Sequence, residues 1–563
     1  MDNPDLIIRN GIVVDGTGGP TRIADVVIRD GVVSEITERA PALATKEIDA
    51  GGAWVAPGFI DPHTHLDAQL FWDPTGRPSV QHGVTTVVTG NCGFGIAPCA
   101  DGAEEYLLRC LEAVEEIPYE ATRDGVPFGW SNFASYLDAL DSLDLGVNVA
   151  ALVPHSPLRH SVMGERASSE EATDADVERM SALLRSAFAS GAVGFSTSRG
   201  PNHVDGDGRP VPSRLANDAE LRALVAEATG KVWQINIRSK GDPTAAESLA
   251  EVAEYAAWSN EFGVDLSWTP LLVTPGDTVA WRRLADQAAD LSSAGARVVP
   301  QVSPLPFVSS IDLSERSLAE SVTGWETAMR QLTGLAPIDR IAVLHDESFR
   351  RALRAAPENP RAILAPNYDR WLLAASTSRP DLVGRSMREV GEALGVSPTD
   401  ALCDLAIADE LSTVVQVPLV NLDAAEVGAA VRADSTLIGL GDAGAHVATI
   451  TNYTYPTFLL AQVAAGGAGA LSIEDVIREM TSRPAELFGL TNRGVLTEGA
   501  AADIVVVDPN EVALRPGRRV NDLPGGHARM LQEAHGYRSV VVGGVEVVAD
   551  DQAIGVAAGR VLR

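Results

Sequence analysis

Two rhythms of apolar and polar positions run along this chain. Near the start, short β-rich runs are broken by turn residues, as in DLIIRNGIVVDG, ADVVIRDGVVSEI and KEIDAGGAWVAPG. Asn-Gly and Asp-Gly placed between such runs are hairpin signals. The same rhythm returns in ADIVVVDP (502–509) and YRSVVVGGVEVVADD (537–551). The two ends are therefore expected to build one small β-sandwich domain, residues 1–56 together with 499–563.

Between them, apolar strands alternate with longer helical patterns, the signature of parallel βαβ units. Eight strands are expected, at 56–61, 84–91, 147–154, 192–198, 232–239, 264–272, 296–303 and 435–442. Helical segments such as ADVERMSALLRSAFASG and DAELRALVAEATG intervene, each ending near a glycine. Eight such repeats predict an α/β fold of the (β/α)8 TIM-like barrel type over residues 57–498, with its active site at the C-terminal strand ends. The seventh interval is too long for one helix, so residues 304–434 are read as an inserted subdomain or lid.

Bulk properties narrow the partners. The formal charge of −32 argues against nucleic acid and anionic membrane surfaces, which would repel a polyanion. No run of about 18 apolar residues is present to span a bilayer, and the first residues lack a basic-then-apolar leader pattern. Four cysteines, Cys92, Cys99, Cys110 and Cys403, are too few to be a disulfide framework in so long a chain. A reduced, cytoplasmic protein is expected; the sequence leaves a homo-oligomer open.

The strand ends concentrate the chemistry. His63 and His65 of GFIDPHTHLD follow the first strand, and Cys92 of TGNCGFG follows the second. Residues i and i+2 of an extended segment point to the same side, so both imidazoles face one way. His155 ends the third strand and Asp442 of GLGDAGAH ends the eighth. Imidazole, thiolate and carboxylate are ligands that suit a borderline-soft cation such as zinc. Arg199 carries a bidentate fork suited to a carboxylate. Asn236 and His446 also stand at or near strand ends and join His155 and Arg199 as substrate-binding candidates, while His203 lies in the glycine- and proline-rich RGPNHVDGDGRPVPSR, read as a loop over the mouth. No phosphate-binding loop and no G-x-S-x-G serine motif is present.

APGFIDPHTHLD, GLTNRGVLTEGAAADIVVVDP and the eighth-strand aspartate together resemble the metal-dependent amidohydrolase superfamily. TGNCGFGIAP and VPHSPLRHSVMG are similar to the N-acyl-D-amino-acid deacylase (D-aminoacylase) branch, the amidohydrolase 3 group. The resemblance runs from about residue 5 to the C-terminus and is weakest across the insertion. It implies a metal on His63 and His65, with Cys92 ligating or bridging. It also implies that Asp442 orients a water, takes its proton and passes it to the leaving nitrogen, in addition to standing among the metal ligands.

This chain departs from the branch at two places. D-aminoacylases place metal-binding histidines at the ends of the fifth and sixth strands; here VWQINIRSK presents Asn236 and LSWTPLL presents Thr269 and Pro270. The fourth-strand segment GFSTSR offers no lysine for carboxylation, and Lys240 lies beyond the fifth strand. One divalent cation, zinc by preference, is therefore expected instead of two. The resulting expectation is a hydrolase of an amide C–N bond acting on an N-acyl-D-amino acid or related small-molecule amide. The alternatives are a lyase or isomerase using the Asp442 base, or a barrel that binds without catalysing.

Overall fold

The computed structural model describes residues 3–40, 43–238, 245–276, 279–314, 318–466 and 471–563; Lys240 lies outside them. Eight strands pair in parallel and in chain order: β1 (Phe59–Asp61), β2 (Val84–Thr89), β3 (Asn148–Pro154), β4 (Gly194–Ser198), β5 (Val232–Asn236), β6 (Asp265–Leu271), β7 (Val298–Val302) and β8 (Leu437–Ile438). Each falls inside a segment expected from sequence. Every residue of β2 and β3 is buried, which is why VTTVVT and NVAALVP read as nearly unbroken apolar or small-polar runs.

The sheet's two ends meet just past β1 and β8. The His65 N–H donates to the Ala443 carbonyl at 2.7 Å, and the Asp442 N–H donates to the His63 carbonyl at 3.1 Å. Thr64 and Ala443 form a parallel bridge between these hydrogen bonds. The eight-stranded parallel sheet is thus curled, with its edges laced through the segments that carry His63, His65 and Asp442.

Helices follow the strands as their caps and apolar stripes dictate. α1 (Glu104–Glu115) follows β2, and α2 (His155–Met163) starts directly at the end of β3. α3 (Asp174–Ala189) begins at a reciprocal cap between Thr173 and Asp176 and buries Met180, Leu184 and Ala187 along one face. α4 (Asp218–Glu227) is capped by the Asn217 side chain, which accepts from the Glu220 N–H.

The chain ends build a nine-stranded sheet from residues 6–57 and 504–553. All nine strands are linked through hydrogen-bonded pairing, and Leu6–Val13 pairs along one edge first with Lys46–Asp49 and then with Trp54–Pro57. Its antiparallel seam joins Trp54–Pro57 to Ile504–Val507, and its core holds Leu6, Ile8, Val26, Ile28, Val55, Ile504 and Val506. Asp30 and Gly31, at φ 49° and 73°, form the two-residue hairpin turn between Arg22–Arg29 and Val32–Thr37. Asn10-Gly11, which carries the same turn signal, instead sits inside the strand Leu6–Val13. There it accompanies a register shift between Ile8 and Gly11, so the positive φ of Asn10 serves a bulge and not a turn.

Residues 272–280 and 305–427 form a separate compact unit. Its antiparallel sheet sets Val414–Val420 between Phe307–Asp312 and Leu372–Ala375. Trp325, Phe349, Trp371, Leu373, Leu402 and Val415 lie in its own core. The expected insertion began at 304; the unit also includes the stretch just after β6. No helix among the described residues is long and apolar enough to cross a membrane.

Candidate metal centre

His63 is buried, at 1% exposure, and its two ring nitrogens have distinct partners. Nδ1 lies 2.9 Å from Gln301 Oε1 on β7, and the Gln301 amide nitrogen donates to Ser267 Oγ on β6. An amide oxygen only accepts, so Nδ1 carries the proton and Nε2 keeps its lone pair. That Nε2 faces Cys92 Sγ at 3.3 Å and Asp442 Oδ1 at 3.5 Å. Burial lowers the pKa of His63, opposed by the nearby Asp442 charge, which favours the neutral, ligating imidazole.

Cys92 is placed by backbone it would not adopt unaided. Its φ of 55° is left-handed, and its N–H donates to Gln234 Oε1 at 2.8 Å. Gln234 on β5 in turn donates to Thr269 Oγ1 on β6 at 3.1 Å. Thr269 therefore helps to fix the loop that presents the thiol. Asn236 brings its Nδ2 to 4.0 Å from Cys92 Sγ.

His65 is 2% exposed, and its Nδ1 has no protein partner among the described residues. Burial, reinforced by His63, His446 and His203, holds its pKa well below the ordinary histidine range. Its Nε2 lies 3.6 Å from the carboxylate of Glu115, at the end of α1. The same carboxylate is 3.9 Å from His446 Nε2, while Glu116 reaches His446 Nδ1 at 3.2 Å. Burial alone would lower the His446 pKa, but Glu116, Glu115 and Asp442 raise it to about 9. Burial pushes Glu115 up to about 8, Asp61 to about 8 and Asp67 to about 7.

The ligand atoms of His63, His65 and Cys92 all lie within 4.8 Å of one another. Asp442 approaches the His63 edge of this trio without joining it. Two substrate-binding candidates turn elsewhere. Both nitrogens of the fully buried His155 are taken, Nδ1 by Thr197 Oγ1 at 2.8 Å and Nε2 by Glu220 at 3.2 Å. Arg159 donates to the same glutamate at 2.9 Å. The guanidinium of Arg199 is bound to Asp218, Tyr255 and the Ala216 carbonyl. His203 hydrogen-bonds Ser198 at 2.7 Å.

The donor set of two imidazoles and a thiol suits a zinc-like cation, and its His63–Cys92 edge has the matching spacing. Bond lengths of about 2.0–2.1 Å to nitrogen and 2.3 Å to sulfur place tetrahedral N and S ligands about 3.5 Å apart, close to the 3.3 Å between His63 Nε2 and Cys92 Sγ. The unpartnered Nδ1 of His65 shows one buried group with unmet bonding capacity. Three protein ligands also leave a fourth position open, the arrangement of catalytic sites. Sequence reasoning passed over Gln301, Gln234 and Glu115. The two glutamines had a signal, an uncharged polar residue inside each of the strands VWQIN and VVPQV; Glu115, one of several acids on a helix, had none.

The sequence profile of the amidohydrolase family, Amidohydro_3, matches residues 46–232 and 340–548. The D-aminoacylase of Alcaligenes xylosoxydans xylosoxydans is 28% identical, over 99% of this chain and 97% of that protein. A crystal structure of N-acyl-D-glutamate deacylase from Bordetella bronchiseptica, complexed with zinc and a phosphonate mimic of the tetrahedral intermediate, superposes with a TM-score of 0.67. It is 26% identical and covers 100% of both chains. A D-aminoacylase structure described in terms of one-metal activation and second-metal attenuation of a binuclear centre gives 0.65, also at 26% identity and 100% of both chains.

Proposed function

Because this chain belongs to the amidohydrolase family, we propose that it hydrolyses an amide C–N bond at the His63–His65–Cys92 centre, with an N-acyl-D-amino acid or closely related amide as substrate. The observation that carries this reading is the convergence of three buried ligand atoms within 4.8 Å, beside a carboxylate. A divalent cation held there, zinc by preference, lowers the pKa of a water and polarises the substrate carbonyl.

The chain's own residues do the rest. Asp442 stands 3.5 Å from His63 Nε2, held by the hydrogen bond from its N–H to the His63 carbonyl. As water attacks, a C–O bond forms and Asp442 takes the water's proton. When the C–N bond breaks, Asp442 returns that proton to the departing nitrogen, giving an acid and an amine. Gln301 keeps His63 in one tautomer throughout, and Gln234 keeps Cys92 in its left-handed turn.

The test combines metal analysis with turnover of N-acetyl-D- and N-acetyl-L-amino acids. About one equivalent of a transition metal is expected, lost in His63→Ala and Cys92→Ala and kept in Asp442→Asn. Turnover should favour the D series, vanish in His63→Ala and Cys92→Ala, and fall on the order of 10²–10⁴ in Asp442→Asn. Native protein that holds no metal and cleaves no acylated amino acid would overturn the reading.

A further inference from the structure

Asn236 is the residue at the centre whose capacity is least used. It ends β5, is 6% exposed, and lies against Cys92 through its Nδ2 at 4.0 Å. That orientation is the one a thiolate favours, since sulfur accepts and the amide nitrogen donates. The other end of the same carboxamide, Oδ1, is buried with no hydrogen-bond partner among the described residues. A buried acceptor left unpaired is costly, and among the described residues none supplies the donor, which leaves this atom open to an N–H brought by a ligand.

We infer that Asn236 Oδ1 accepts the N–H of the substrate's scissile amide and thereby selects secondary amides over esters and tertiary amides. This rests on the hydrolase reading above and adds to it a class of substrate and the residue that reads it. The chemistry is complementary: a secondary amide offers one N–H at the atom next to the attacked carbonyl carbon. An ester offers an acceptor oxygen at the same place, and an N-alkylated amide offers a carbon. Held by its N–H, the nitrogen has its developing lone pair free to receive the proton from Asp442. A site built around such a hydrogen bond rejects a ligand that cannot make it, because the protein group is then left buried and unpaired.

The experiment uses two pairs of probes with the full-length protein. The first pair is an N-acetyl-D-amino acid and its N-methyl counterpart, compared by kcat/KM. The second is a phosphonamidate mimic of the tetrahedral state and the isosteric phosphonate ester, in which oxygen replaces N–H, compared by equilibrium affinity. The N–H ligand should bind the wild-type protein about tenfold to a hundredfold more tightly than its ester. Asn236→Leu should erase that gap and keep the metal content of the wild type. Asn236→Asp, which still presents an acceptor, should preserve the gap. Wild-type protein that hydrolyses amides yet binds both mimics equally would overturn this inference and leave the hydrolase reading standing. Loss of metal in Asn236→Leu would overturn it too, by making Asn236 part of the metal's support. Protein that cleaves no amide and binds neither mimic would overturn both.

Discussion

At the scale of the residue, the centre depends on which atom each side chain is left free to use. His63 illustrates it: His-x-His is visible in the sequence, but the tautomer is set by Gln301, more than two hundred positions away. Replacing Gln301 with Leu should leave all three ligands in place and weaken metal binding about tenfold to a hundredfold, the usual effect of losing a group behind a ligand. Competition with a chromogenic chelator reads this directly, and unchanged affinity would show that the amide does not set the tautomer. Asp442→Asn separates binding from proton transfer, with metal content kept and turnover reduced on the order of 10²–10⁴. His82 provides a test remote from the centre. It is buried between Thr457 and the Gln532 carbonyl, and burial depresses its pKa to about 4. Between pH 6.5 and 4 the unfolded chain binds a proton there that the folded chain refuses, so stability falls as pH falls through that window. The slope approaches about 1.4 kcal/mol per pH unit. His82→Gln should flatten the acid limb of a plot of thermal midpoint against pH, and an identical limb in the two proteins would contradict the assignment. What the sequence hid at this scale was orientation: His155 and Arg199 stand at strand ends as expected, yet their polar atoms point into Glu220, Thr197 and Asp218, partners that no local pattern connects to them.

At the scale of the element, periodicity placed all eight parallel strands, because buried β/α strands are continuous apolar runs bounded by helix caps and turns. The terminal strands were equally legible, but their pairing was not. Asn10-Gly11 and Asp30-Gly31 look alike in sequence, and only the register of the neighbouring strand makes one a bulge and the other a hairpin turn. Gly58 carries a comparable long-range constraint. It links Trp54–Pro57 to β1, and a Cβ there would lie 2.1 Å from Thr85 Oγ1. Gly58→Ala should therefore destabilise the protein by about 1–3 kcal/mol, as overpacking does, and shift β1 against β2. Thr85→Gly in the same chain should recover most of the loss, as read by thermal midpoints of the single and double variants. Full additivity of the two changes would show that the clash is not the cause.

At the scale of the whole molecule, the feature that sequence could not display is the seam. The segments bearing His63 and His65 and the segment bearing Asp442 are separated by nearly four hundred residues, and they meet where the curled sheet joins its own ends through His65–Ala443 and Asp442–His63 hydrogen bonds. β1 and β8 are only three and two residues long, so the lacing beyond them carries much of that junction. A cation bound by His63, His65 and Cys92 would sit on this seam and would anchor the first strand's extension to the second strand's loop. Binding to the folded state alone stabilises it by RT ln(1 + [L]/Kd), about 4 kcal/mol at a thousandfold excess over Kd. Chelation should therefore lower the thermal midpoint by several degrees, and restored zinc should return it. His63→Ala should unfold at the chelated protein's temperature and ignore both treatments, whereas Asp442→Asn, which keeps the trio, should respond like the native chain. Equal midpoints with and without chelator, in protein shown to carry metal, would mean that the ion adds chemistry to the seam without holding it closed.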